Sequence, residues 1–100
     1  MDIYFFVFAV EPAQSNPYEE SISDADASLM VLAESQGSAE EMARRYLRKY
    51  HWLIVSLQEA ALVDVREVEN SHKKSMLYGL VQGYGIALLL DVRCAESLCN

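Results

Sequence analysis

Apolar residues recur at two different periods along this chain, and each change of period marks the edge of an element. From Ile3 to Val10 nearly every position is apolar, with Ile3, Phe5, Val7 and Ala9 on one side of an extended strand and Tyr4, Phe6, Phe8 and Val10 on the other. Glu11-Pro12 stops that run. The stretch 11–27 holds Glu11, Glu19, Glu20, Asp24 and Asp26 with no base, and predicts a long acidic loop. Ser28 to Ser35 reads as a second strand through Leu29, Met30, Val31, Leu32 and Ala33, closed by Gln36-Gly37. Strand, loop and strand together suggest an antiparallel pair.

The period then lengthens to that of a helix. Ser38 and Glu41 have capping-box spacing, in which the serine oxygen accepts from a free first-turn amide and the glutamate reaches back to the cap. Ala39, Met42, Ala43, Tyr46, Leu47 and Tyr50 form one apolar stripe, while Glu40, Glu41, Arg44, Arg45, Arg48 and Lys49 lie outside it. Glu40 with Arg44 and Glu41 with Arg45 are four apart, acid first, and bases gather in the last turns where the helix dipole favours them. From Trp52 to Leu57 the chain is too β-branched and too continuously apolar for a solvated helix. It predicts a central strand with Leu53, Val55 and Leu57 on one face, extending through Ala61 towards Val65 with a bend near Glu59. A second helix is expected from about Asn70 to Gln82, its stripe made by Val68, His72, Met76, Leu77, Leu80, Val81 and Tyr84. Gly83 and Gly85 end it, and Ile86 to Val92 is a fourth strand.

The element order is therefore β-β-α-β-α-β, which predicts an α+β fold. The expected form is a two-layer α/β sandwich with a four-stranded mixed sheet, a ferredoxin-like or related plait. Right-handed crossovers would put both helices on the same or a nearby face. Such an arrangement leaves one side of the first strand uncovered, although that strand is apolar on both. Each large side chain left wet forfeits roughly 1.5 to 3 kcal/mol, against a net stability of about 5 to 15 kcal/mol for a domain. Homodimerisation through the open sheet face, centred on Tyr4, Phe6 and Phe8, is the expected remedy.

Composition narrows the functional classes. One hundred residues, 52% of them hydrophobic, make one domain with a modest core and no requirement for metals or disulfides. A net charge of -7 and a pI near 4.6 repel polyanions, so nucleic acid and acidic lipid are disfavoured partners and a basic or neutral protein is more natural. No basic segment precedes the apolar start, which is too short to span a bilayer, so neither a signal peptide nor a membrane helix is expected and the location reads as cytoplasmic. Cys94 and Cys99 fall in an expected flexible tail, 94–100, and read as two free thiols lacking a second pair for zinc, with a closed disulfide or a shared metal as the alternative.

Ala39-Glu-Glu-Met-Ala43 in a helix, the aromatic strand start at Trp52, and Gln58-Glu-Ala60 leading towards a second helix resemble small bacterial α+β proteins catalogued as domains of unknown function. The resemblance spans Leu29 to Val92 and implies a fold, not an activity.

Candidate chemistry is sparse. His72, near Glu69, Lys73 and Lys74, is the residue best placed to exchange protons, yet no nucleophile is spaced to pair with it. His51, at the end of the first helix, reads as a cap for carbonyls. Asp24-Ala-Asp26 with Glu19 and Glu20 lacks calcium-loop spacing, and Gly79, Gly83 and Gly85 close a helix where a dinucleotide fingerprint would open one. No metal or cofactor is expected. Arg44, Arg45, Arg48 and Lys49 make a basic patch, joined by Lys73 and Lys74 if the helices lie side by side, but its aromatics fall on the apolar stripe, unlike a nucleic-acid platform. The leading expectation is a non-enzymatic protein-interaction module that dimerises and uses the acidic loop or the basic helix face for a partner. The alternative is a small-ligand domain or minor enzyme with a pocket between helices and sheet lined by Tyr46, Tyr50, Trp52, His72 and Tyr84.

Overall fold

In the structure, a computed structural model that describes residues 1–94, the elements are β1 (Asp2–Pro12), β2 (Ile22–Ala33), α1 (Gln36–Lys49), β3 (Trp52–Leu62), α2 (Val65–Val68), α3 (His72–Tyr84) and β4 (Ile86–Cys94). The fold is α+β, with one four-stranded sheet in the order β3-β1-β2-β4. Every neighbouring pair is antiparallel, so the sheet is not mixed.

The strands β1 and β2 run longer than the apolar pattern suggests. Their ladder pairs Phe5 with Met30, Phe6 with Leu29, Phe8 with Ala27 and Val10 with Ala25. The segment expected as an acidic loop over 11–27 is thus a shorter connection, 13–21, and Asp24 and Asp26 sit on a paired strand. There Arg93 of β4 faces both carboxylates, and its hydrogen bonds to Asp24 and then Asp26 raise its guanidinium pKa further above its already high ordinary value.

The two helices lie on opposite faces of the sheet, which corrects the two-layer, plait-like expectation. One core layer joins Phe6, Phe8, Val10, Leu29 and Val31 to Ala39, Ala43 and Leu47 of α1, with Trp52 at its end. The other joins Phe5, Met30 and Ala87 to Leu77 and Val81 of α3. The reason lies in the connections. The handedness rule constrains a crossover between parallel strands, and β2 to β3 through α1 is such a connection. By contrast β3 and β4 run antiparallel at the two edges, so α3 is free to take whichever face still lacks cover. The apolar second side of β1 therefore finds its partner within the chain. Phe6 and Phe8 are fully buried beneath α1 and Tyr4 nearly so, which rules out the open face expected to dimerise through them.

Local chemistry explains each helix boundary. The cap of α1 is Ser35, whose Oγ accepts from the Ser38 amide at 3.1 Å, three residues earlier than the capping-box reading. Glu40–Arg44 and Glu41–Arg45 close as i,i+4 ion pairs at 3.0 and 2.6 Å. Ser71 caps α3 by accepting from the Lys74 amide, and Gly85 ends it with φ 79, a left-handed backbone that glycine adopts without a Cβ penalty. The turn α2, capped by Asp64, takes Val65, the expected end of the preceding strand, and the three residues after it.

The strand β3 is an edge strand, not a central one. Its pairing with β1 slips twice, between Val7 and Phe8 and between Ala9 and Val10, leaving Gln58 and Val55 as bulged residues. The bulges turn Leu57 to the same side as Trp52 and Ile54, while Leu53 and Val55 face solvent. The expected shared face of Leu53, Val55 and Leu57 does not form. Cys94, the last residue of β4, is not a free thiol, and Cys99 lies outside the described residues, as does most of the expected tail.

Candidate functional site: an aromatic cleft

The last two turns of α1 point Tyr46 and Tyr50 towards the β4 side of the sheet, one turn apart, with ring centres 4.8 Å apart and tilted 55°. After Tyr50 the chain reverses through His51, whose φ of 67 is left-handed for a residue bearing a Cβ. Three bonds to the β1–β2 connection hold that conformation. The His51 carbonyl accepts from the Ala13 amide at 2.9 Å and from Asn16 Nδ2 at 3.0 Å, while Nδ1 of its ring lies 2.8 Å from Ser15 Oγ. Asn16 is itself buried, and its Oδ1 accepts from the Tyr18 amide, so one amide side chain shapes the connection and ties it to α1.

Between these parts lies a cleft of about 380 Å³, walled by Tyr46, Tyr50 and Trp52, by Pro17 and Tyr18 of the connection, and by Leu88 and Leu90 of β4. Its size and its aromatic lining are those of a binding site. A second hollow of about 260 Å³ continues along α1 past Tyr46 to Met42 and Ile86, with Arg45 and Lys49 on its rim. Tyr46 lines both hollows, which lie where α1, packed over β1, β2 and β3, leaves Ile86, Leu88 and Leu90 of β4 only partly buried. Lys49 Nζ stands 5.6 Å from the Tyr50 ring centre, and burial, with Tyr50 alongside, raises the Tyr46 phenol above its ordinary pKa.

Three of the five expected pocket residues, Tyr46, Tyr50 and Trp52, come together here. His72 and Tyr84 do not, since α3 occupies the other face of the sheet and both residues are exposed. The five residues therefore do not line one pocket between helices and sheet, and Lys73 and Lys74 cannot extend the basic patch of α1. His51, Asn16, Pro17, Tyr18, Leu88 and Leu90 were not expected at the site. Pro17-Tyr18 beside a polar turn was a visible signal, whereas the β4 residues depend on the strand order.

The Ser15–His51 contact is the nearest approach to a nucleophile and base, but it is exposed and no carboxylate orients the imidazole among the described contacts. No cluster of three or more metal-ligating side chains occurs among the described residues. Nor, among them, is any helix long and apolar enough to cross a membrane. No family model, curated protein or solved structure matches this chain.

Proposed function

We propose that the protein is a non-enzymatic binding module whose working surface is the groove between α1 and β4, and that the groove receives an extended segment of a partner protein carrying aromatic or proline residues beside acidic ones. The observation that carries this reading is that Tyr46 lines both hollows, which sets them end to end along α1. It makes the site elongated and open at its ends, where a metabolite pocket closes around its ligand. Tyrosine and tryptophan walls suit proline and aromatic side chains, which lose little conformational entropy on docking. Arg45 and Lys49 on the rim favour acidic residues in the segment, although the chain as a whole is acidic.

Trp52, the single tryptophan, lines the cleft and reports its occupancy by fluorescence. Peptides selected from a random display library are expected to be enriched in proline or aromatic residues with flanking acids and to change Trp52 emission on titration. Their affinity should fall at least tenfold in Tyr50→Ala. Selected peptides that bind Tyr50→Ala as well as the wild type would overturn the reading. Stabilisation by a small aromatic compound without any peptide binding would replace it by the ligand-pocket alternative.

A further inference from the structure

We infer that the free edge of β4 together with one flank of α3 is a self-association surface, occupied by the same surface of a second copy of this chain. The sheet has two edges, and they are managed differently. The β3 edge carries two bulges, which twist an edge away from further pairing. The β4 edge is a run of nine residues, and its ladder with β2 is regular from Asp24 to Val31.

The outward-facing backbone groups can be assigned. The Leu32 amide donates to the Gly85 carbonyl directly opposite at 2.9 Å, which makes that position a hydrogen-bonded pair. Alternate residues 85, 87, 89 and 91 therefore aim their amides and carbonyls at β2. Ile86, Leu88, Leu90 and Val92 aim theirs outward, with no strand among the described residues to receive them.

The second observation is on α3. Leu77 and Val81 bury against the sheet, and Lys73 pairs with Asp91 of β4, which orients one flank of the helix towards the β4 edge. Met76, Leu80 and Tyr84 follow one another at intervals of four on that flank. They are 45%, 44% and 79% exposed, an apolar row beside the outer edge of β4. At its exposure Tyr84 alone offers on the order of 150 Å². Met76, Leu80 and the outer backbone of β4 extend the patch towards the ~800 Å² per partner of a standard interface.

Geometry selects a second copy as the occupant. Strands in a continued sheet stand about 4.8 Å apart, and α3 packs over β4 and β2. A two-fold axis beside β4 therefore brings the two α3 helices to roughly 10 Å, at the edge of the 8 to 10 Å range in which helices interlock. An isolated peptide strand would satisfy the β4 backbone but leave the α3 row wet. With the axis at Leu89, Leu88 pairs with Leu90 of the second copy, Asp91 stays clear of its own copy, and Met76 of each helix meets Leu80 of the other. The α1 face remains open in this arrangement, with Leu88 and Leu90 of both copies forming a common floor between two grooves. The inference does not rest on the groove reading, since peptide binding to a monomer would leave that reading intact.

The test is sedimentation equilibrium over a wide concentration range, with circular dichroism to verify folding. Wild-type protein is expected to show twice its 11.3 kDa chain mass. Leu80→Glu, on the helix row, and Val92→Pro, which removes an outward amide and leaves the β2 ladder intact, are each expected to weaken association at least tenfold. Leu53→Glu on the bulged β3 edge is expected to leave it unchanged. A wild type that stays monomeric throughout, a dimer indifferent to both Leu80→Glu and Val92→Pro, or one dissociated by Leu53→Glu would each overturn the assignment.

Discussion

Replacing Leu77 by alanine tests whether α3 covers the second face of the sheet. Leu77 is 1% exposed and packs in the layer formed by Phe5, Met30, Val81 and Ala87. The change removes three carbons, worth about 0.8 kcal/mol each, or about 2.4 kcal/mol in transfer free energy. The cavity left behind brings the expected loss to about 3 to 4 kcal/mol, within the range of buried leucine truncations. Leucine and alanine have similar helix propensities, so little of the effect can come from the helix itself. Because net stabilities are about 5 to 15 kcal/mol, the variant should remain folded at room temperature with a midpoint lowered by well over 10 °C. Urea unfolding at fixed protein concentration, with an unchanged slope, measures the loss. Leu80→Ala, on the exposed flank, is the control and is expected to cost under about 1 kcal/mol when measured on monomer. A Leu77→Ala loss below 1 kcal/mol would refute the three-layer packing, because Phe5 and Met30 would then have found their cover elsewhere.

Ser35→Ala should cost about 1 kcal/mol by removing the α1 cap, whereas Ser38→Ala, which contributes its amide to that cap, should cost a few tenths; thermal denaturation separates the two. Asn16→Ala should cost about 1 to 3 kcal/mol, since it strips the His51 carbonyl and the Tyr18 amide of a partner, and Trp52 emission should shift as the connection loosens. Ser15→Ala breaks one exposed contact to His51 and should cost under about 1 kcal/mol, leaving peptide binding unchanged. The raised Tyr46 pKa means that the folded state holds that proton more tightly than the unfolded state does. Its stabilising contribution is therefore complete below the ordinary tyrosine pKa near 10 and is lost as pH rises through the folded value. Melting temperature followed from about pH 9 to about pH 11 should fall more steeply in wild type than in Tyr46→Phe.

Local elements were legible because local rules decide them. The stripe Ala39, Ala43, Leu47 identified α1, its Glu–Arg pairs formed as spaced, and Gly85 marked the end of α3. The two-sided apolarity of β1 also announced correctly that both faces need cover. What covers the second face was not legible, because an antiparallel connection between the two edges carries no handedness rule. Ser38 looked like the cap because it precedes Glu41 by three, yet Ser35 satisfies the same amide geometry one turn earlier. Trp52 to Leu57 read as a central strand because it is apolar throughout. The two bulges that turn Leu57 inward and leave Leu53 wet depend on pairing with β1, which lies more than 40 residues away in sequence. The candidate site was half visible for the same reason. Tyr46, Tyr50 and Trp52 are neighbours along the chain, whereas Tyr18, Leu88 and Leu90 reach them only through the strand order.

The most direct test of the groove as the working surface is an amide chemical-shift map of the labelled protein titrated with a display-selected peptide. The account predicts perturbations confined to α1 from Met42 onwards, the connection around Asn16 to Tyr18, Trp52, and the strand from Ile86 to Leu90. Perturbations centred on the exposed faces of β3 or α2, with the aromatic cleft unmoved, would contradict it.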